Sequence, residues 1–160
     1  GIFNTVNPSV YASRDTPVPA KAAYARKDLQ DWARYQGLEI GAPEVFPVNS
    51  VKAMRGAFFA IEKNCLVPYA RAVFKRYWSD LADISQADVL AEVASGIGLN
   101  GDEFFAAIGA QRYKDLLRTT TDEVVARGGF GTPTMFLNET EMFFGNDRIE
   151  LLRARIEELG

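Results

Sequence analysis

Four residues near the end of the chain, Thr134-Met135-Phe136-Leu137, narrow the folds open to it. They read as a β-strand, and successive side chains of a strand point to opposite faces. Met135 and Leu137 then face one side and Phe136 the other, so both faces are apolar. Asn138-Glu139-Thr140 supplies a turn and Glu141-Met142-Phe143-Phe144 a second strand, which makes a hairpin. A lone hairpin is marginal in water. A strand apolar on both faces belongs in a larger sheet with helices above and below. No other convincing strand occurs in the 160 residues. The expectation is an α/β fold whose partner strands precede Gly1, where the chain starts without an initiator Met.

Most of the remainder reads as helix. Ala20–Gln36 places Ala25, Leu29, Trp32 and Gln36 on one side, and Gly37 stops it. Asn49 or Ser50 can cap the next helix. That helix spaces Val51, Met54, Phe58, Ile61 and Cys65 at helical intervals, with Ala53, Ala57 and Ala60 opposite, so it is apolar nearly all round and central. Leu66–Leu81 follows with Pro68 in its first turn. Ser85-Gln86-Ala87-Asp88 reads as a capping box. A short helix with Phe104, Phe105 and Ile108 and a longer one from Gln111 to Arg127 complete the stretch. Ile149, Leu152, Ile156 and Leu159 stripe a last helix. Residues 1–19 read as irregular, punctuated by Pro8, Pro17 and Pro19.

Composition excludes several chemistries. There is one cysteine, Cys65, and no histidine. The chain alone therefore holds no disulfide, no CxxC pair, no Cys/His zinc site and no Ser-His or Cys-His dyad. No metal site is expected. The net charge of -3 with both signs interspersed argues against nucleic acid as a partner. No apolar run approaches the roughly 20 residues that span a bilayer, so no membrane partner is expected. A single free cysteine and no secretory signal fit a reducing, cytoplasmic compartment. Cys65, on an apolar helix face, reads as an inert core thiol.

Two short motifs carry the chemistry. In Phe130-Gly131-Thr132-Pro133-Thr134, a Gly-X-Pro precedes a buried strand and resembles the cis-proline loop of thioredoxin-like folds. Such a loop turns the backbone of the residue before the proline outward, where an extended peptide can pair with it. In Phe143-Phe144-Gly145-Asn146-Asp147-Arg148, a strand end passes through glycine into a helix N-terminus. Asp147 with Glu150 is a capping-box arrangement. Free N–H groups and the helix dipole attract a carboxylate there, while Asp147 can hold an ammonium. That set suits the amino-acid head of a ligand.

The order loop-Pro-strand-hairpin-Gly-Asn-Asp-Arg-helix, after the helical stretch 20–119, resembles the 2-hydroxychromene-2-carboxylate isomerases and kappa-class glutathione transferases. Pro19-Ala20-Lys21-Ala22-Ala23-Tyr24, Asp28-Leu29-Gln30-Asp31-Trp32 and Val45-Phe46-Pro47 extend the resemblance upstream. It implies a thioredoxin-like fold with a large all-helical insertion: residues 1–19 and 120–160 belong to the thioredoxin-like part, 20–119 to the insertion, and the N-terminal part of the fold lies outside this chain. It implies glutathione as co-substrate, with the Thr132 main chain, next to Pro133, pairing to its cysteinyl unit and Asn146 and Asp147 holding its γ-glutamyl head. Asn7, in preference to Asn4, would sit near the ligand, and Lys21 would meet a glutathione carboxylate. The family's serine that stabilises the thiolate has no match here and is expected upstream, which leaves the fragment alone inactive. Homodimers are common in the family.

The function implied is glutathione-dependent isomerisation of a small aromatic-derived substrate: thiolate addition, ring opening, bond rotation and loss of thiol. Arg55, on an otherwise apolar helix, is a candidate for the substrate carboxylate, and Phe58, Phe59, Phe143 and Phe144 for an aromatic pocket. A kappa-like transferase or peroxidase, a DsbA-like disulfide oxidoreductase with CxxC upstream, and a non-catalytic binding member are the alternatives.

Overall fold

Small residues decide how the helical part closes. In the computed structural model, which describes residues 6–7 and 16–160, the chain divides into two compact units: Pro19–Thr119, and Gly1–Val18 with Thr120–Gly160. The first holds α1 (Pro19–Tyr35), α2 (Val51–Glu62), α3 (Leu66–Phe74), α4 (Ala87–Gly96), α5 (Gly101–Gly109) and the start of α6 (Gln111–Ala126). α2 buries Ala53, Gly56, Phe59 and Ala60. This nearly bulk-free side lets Tyr69 of α3 and Phe104 of α5 press against it, 2% and 0% exposed. Phe104 packs its ring against Phe59 and Tyr69 at centroid distances of 6.1 and 6.0 Å. The Tyr69 hydroxyl stays satisfied by donating to the Ala53 carbonyl at 2.9 Å. Leu90, Val93, Ala94 and Ile108 are among the residues that join this core.

Several local expectations need correction. Val51, Met54 and Ile61, read as one stripe of an all-round apolar helix, are about half exposed, because the alanine and glycine side allows the closer approach. α2 ends at Glu62, and Cys65 sits at the N-cap of α3, half-buried against the core, rather than on a helix face. The helix from Leu66 is α-helical only to Phe74 and continues as a π turn over Lys75–Ser79. The chain then breaks at Leu81, whose φ is 58°. The capping box at Ser85 is not formed. Asp83 instead accepts from the Ser85 N–H and the Gln86 amide, at 2.9 and 2.8 Å, and these bonds hold its carboxyl below the usual range. Ahead of α2 it is Asn49, not Ser50, whose side chain accepts the Val51 N–H. The irregular reading of residues 1–19 falls largely outside the described residues; Val6 is helical, and α1 opens at Pro19.

The second unit is built on the hairpin. β1 (Thr134–Leu137) pairs antiparallel with β2 (Glu141–Phe144), Thr134 opposite Phe144 and Leu137 opposite Glu141. The turn residue Asn138 takes φ 56°, which Asn tolerates better than most side chains. This register puts Thr134, Phe136, Met142 and Phe144 on one face, and Met135, Leu137, Glu141 and Phe143 on the other. Each face meets a helix. At the end of α6, Arg127 stands 3.9 Å from the Phe136 ring centroid and donates to the Asn138 carbonyl. On the opposite face, Arg155 of α7 (Ile149–Leu159) forks onto both Glu141 oxygens at 2.9 and 3.1 Å. Arg155 holds the Glu141 carboxyl below its ordinary value. The doubly apolar strand thus has helices on both sides.

Candidate functional site

The loop before β1 is held by its carbonyls. Asn7 donates its side-chain amide to Phe130 O at 3.2 Å. Thr134 Oγ donates to Gly131 O at 2.6 Å. The Gly145 N–H donates to Pro133 O at 3.0 Å. Between these, Thr132 is exposed, and its main chain has no hydrogen-bond partner among the described residues. The Thr132–Pro133 bond is cis.

The bond from Gly145 to Pro133 also brings the second motif beside the first. Gly145 turns the chain with φ 110°, a conformation open to glycine and strained for other residues. It delivers Asn146–Arg148 as a single 3₁₀ turn ahead of α7. A Cβ on Gly145 would fall 2.5 Å from Asp147 Oδ1, so the carboxylate folds back over the glycine. Asp147 does not cap α7, contrary to the capping-box reading, and Glu150 turns to Arg153. The Asp147 carboxylate instead pairs with Arg148 at 3.0 Å, both half exposed. The turn therefore offers, side by side, an anion for an ammonium and a cation for a carboxylate.

An aromatic pair flanks the loop. The Phe130 and Phe144 rings lie 4.5 Å apart, 36% and 40% exposed. Phe144 covers Gly131, where a Cβ would come within 2.7 Å of the ring. Of the other phenylalanines proposed for a pocket, Phe59 is a core residue and Phe58 packs against the core; Phe143 lies on the α7 face of the hairpin.

Asn7, Thr132, Pro133, Asn146 and Asp147 thus fall in one unit, while Lys21 and Arg55 belong to the other. Lys21 is exposed in the first turn of α1. Arg55 is half-buried and donates to the Ile108 carbonyl at the end of α5, at 3.4 Å, while its buried Nε has no partner. It makes no salt bridge among the described residues. Sequence reasoning missed Thr134; its signal is a threonine three residues after a glycine whose carbonyl it can reach.

A model of the DsbA-like thioredoxin domain matches residues 2–157. The chain belongs to the DsbA-like thioredoxin family. The fold is accordingly the DsbA-like thioredoxin type, mostly helical with a small two-stranded sheet. This family member is 31% identical over 163 residues to a 2-hydroxychromene-2-carboxylate isomerase of Pseudomonas putida, across 98% of the chain and 73% of that protein. It is 27% identical to human glutathione S-transferase kappa 1, across 84% of the chain and 66% of that protein. A solved structure of 2-hydroxychromene-2-carboxylate isomerase superposes with a TM-score of 0.78 at 26% identity, over 88% of the chain and 68% of that structure. The chain spans 63% of the isomerase of Pseudomonas sp. (strain C18). Among the described residues of this DsbA-like protein, no helix is long and apolar enough to cross a membrane.

Proposed function

We propose that this chain forms the glutathione-holding part of a glutathione-dependent isomerase of the 2-hydroxychromene-2-carboxylate type. The observation that carries this reading is the exposed Thr132 main chain, without a hydrogen-bond partner among the described residues and joined through the Gly145–Pro133 hydrogen bond to the Asn146–Asp147 turn. An extended peptide backbone pairs with such an edge as a short strand does. A γ-glutamyl head presents an ammonium and a carboxylate together. Asp147 takes the ammonium; Asn146, Arg148 and the free N–H groups at the start of the helix take the carboxylate. Both requirements fit the residues present.

Bound glutathione supplies a thiol nucleophile to the reaction. The chain's own part is to bind and orient it. Thr132 fixes the cysteinyl unit, Asn146 and Asp147 the γ-glutamyl end, and Asn7 supports the loop through Phe130. Lys21 is assigned to a glutathione carboxylate, supported by its exposure and the lack of a protein partner among the described residues. Arg55 is assigned to the substrate carboxylate, because among the described residues its side chain makes one long hydrogen bond and no ion pair. The relatives named as isomerases, up to 31% identical, favour isomerisation over the transferase chemistry named for the kappa-class relative. Isothermal titration of the chain with glutathione, followed by a spectroscopic assay of 2-hydroxychromene-2-carboxylate conversion by the full-length protein with and without glutathione, tests the reading. Conversion that does not depend on glutathione, or no glutathione binding, overturns it.

A further inference from the structure

Four successive carbonyls line the loop from Phe130 to Pro133, and three of them are occupied. Phe130 O accepts from Asn7, Gly131 O from Thr134 and Pro133 O from Gly145 N–H. The Thr132 carbonyl and N–H are left over among the described residues. This pattern follows from where the donors sit. Asn7 and Gly145 reach the two ends of the loop from outside it. Thr134 acts from within, folding its hydroxyl back three residues onto Gly131, a local bond that threonine side chains readily make. The Gly131 carbonyl belongs to the same peptide plane as the Thr132 N–H. Fixing one fixes the direction of the other.

We propose that Thr134 is a positioning residue: its hydroxyl holds the Gly131–Thr132 peptide plane so that the Thr132 N–H points away from the protein toward an extended ligand. The bond is short, 2.6 Å, and half-buried, and the Phe144 ring lies close against Gly131. The plane is therefore held by a hydrogen bond. Thr134 touches no ligand in this arrangement. It acts through Thr132, and it rests on the glutathione reading above.

Valine keeps the shape and strand preference of threonine but removes the donor, whereas serine keeps the hydroxyl. The tests are Thr134→Val and Thr134→Ser in the whole chain. Without ligand, backbone amide resonances of Gly131 and Thr132 are expected to shift and broaden in Thr134→Val and to return in Thr134→Ser. Glutathione affinity is expected to fall about fivefold in Thr134→Val, the worth of one ordinary hydrogen bond, and to recover in Thr134→Ser. The melting temperature should stay within about 3 °C of the parent. Unchanged amide resonances in Thr134→Val overturn the positioning role, whatever the ligand. Unchanged affinity in Thr134→Val, with glutathione bound normally by the parent, also overturns it and leaves the glutathione reading standing. A parent chain that binds no glutathione sinks that reading and, with it, the proposed orientation toward this ligand.

Discussion

Replacing Gly56 by alanine puts the packing of α2 to a direct test. Alanine is the better helix former, and in a helix interior the exchange should gain about 0.5–1 kcal/mol. Here the added Cβ would clash with the Tyr69 hydroxyl oxygen and lie 2.7 Å from Phe104 Cε2 and 2.8 Å from Tyr69 Cζ. Neither ring has solvent to move into, since Tyr69 is 2% exposed and Phe104 0%. Overpacking a closed core costs about 1–3 kcal/mol. Displacing Tyr69 also breaks its bond to Ala53 O, and a buried hydroxyl left unsatisfied costs about 1–3 kcal/mol. The balance is a loss of about 1–5 kcal/mol, or a melting temperature lowered by roughly 2–20 °C in a chain of this size. Thermal and urea unfolding of Gly56→Ala, followed by circular dichroism, measures it. Adding Tyr69→Phe removes the clashing hydroxyl oxygen and should recover part of the loss, while the contacts at 2.7 and 2.8 Å remain. A Gly56→Ala chain as stable as the parent, or more so, refutes the packing argument.

Other outcomes follow from the second unit. Asp147→Asn should weaken glutathione binding by about five- to twentyfold through loss of a charge-assisted hydrogen bond. It should leave the melting temperature unchanged, because Asp147 caps no helix; equal affinities by titration calorimetry would sink the γ-glutamyl assignment. Gly145→Ala should lower stability by about 1–3 kcal/mol in thermal unfolding, because a side chain at φ 110° is strained and also meets Asp147. The Glu141 carboxyl is depressed in the folded chain by Arg155, so its contribution to stability is present above the ordinary value of 4.5 and lost as pH falls through the lower folded value. The stability difference between the parent and Glu141→Gln should accordingly shrink on acidification below about pH 4.5 and be flat at neutral pH. A difference that stays constant on acidification would show that Arg155 does not act on the ionised Glu141.

The hairpin was legible because its signals are local. The turn Asn138-Glu139-Thr140 sets the strand ends, and the alternation of Met135, Phe136 and Leu137 announces a strand with covered faces. The Gly-Thr-Pro loop and the Gly-Asn-Asp turn were legible for the same reason, since glycine and proline restrict the backbone without help from distant residues. Helix ends were less so. At Ser85 and at Asp147 the side chains suited to capping turned elsewhere, because neighbouring groups offered other hydrogen bonds: Asp83 takes the Ser85 N–H, and Arg148 takes Asp147.

The sequence by itself determined the approximate course of the helices after Pro19 and of the hairpin, which chemistries a chain without histidine and with one cysteine must do without, and which two short motifs are candidates to bind. Periodicity and backbone restriction are properties of neighbours along the chain. Only the tertiary structure decided that α2 closes on its glycine and alanine side, since that depends on how near Tyr69 and Phe104 can come. It likewise decided that Gly145 ties the Asn146–Asp147 turn to Pro133 and that Asn7 reaches Phe130. These are contacts between residues far apart in sequence, and they exist only once packing has brought the backbones together.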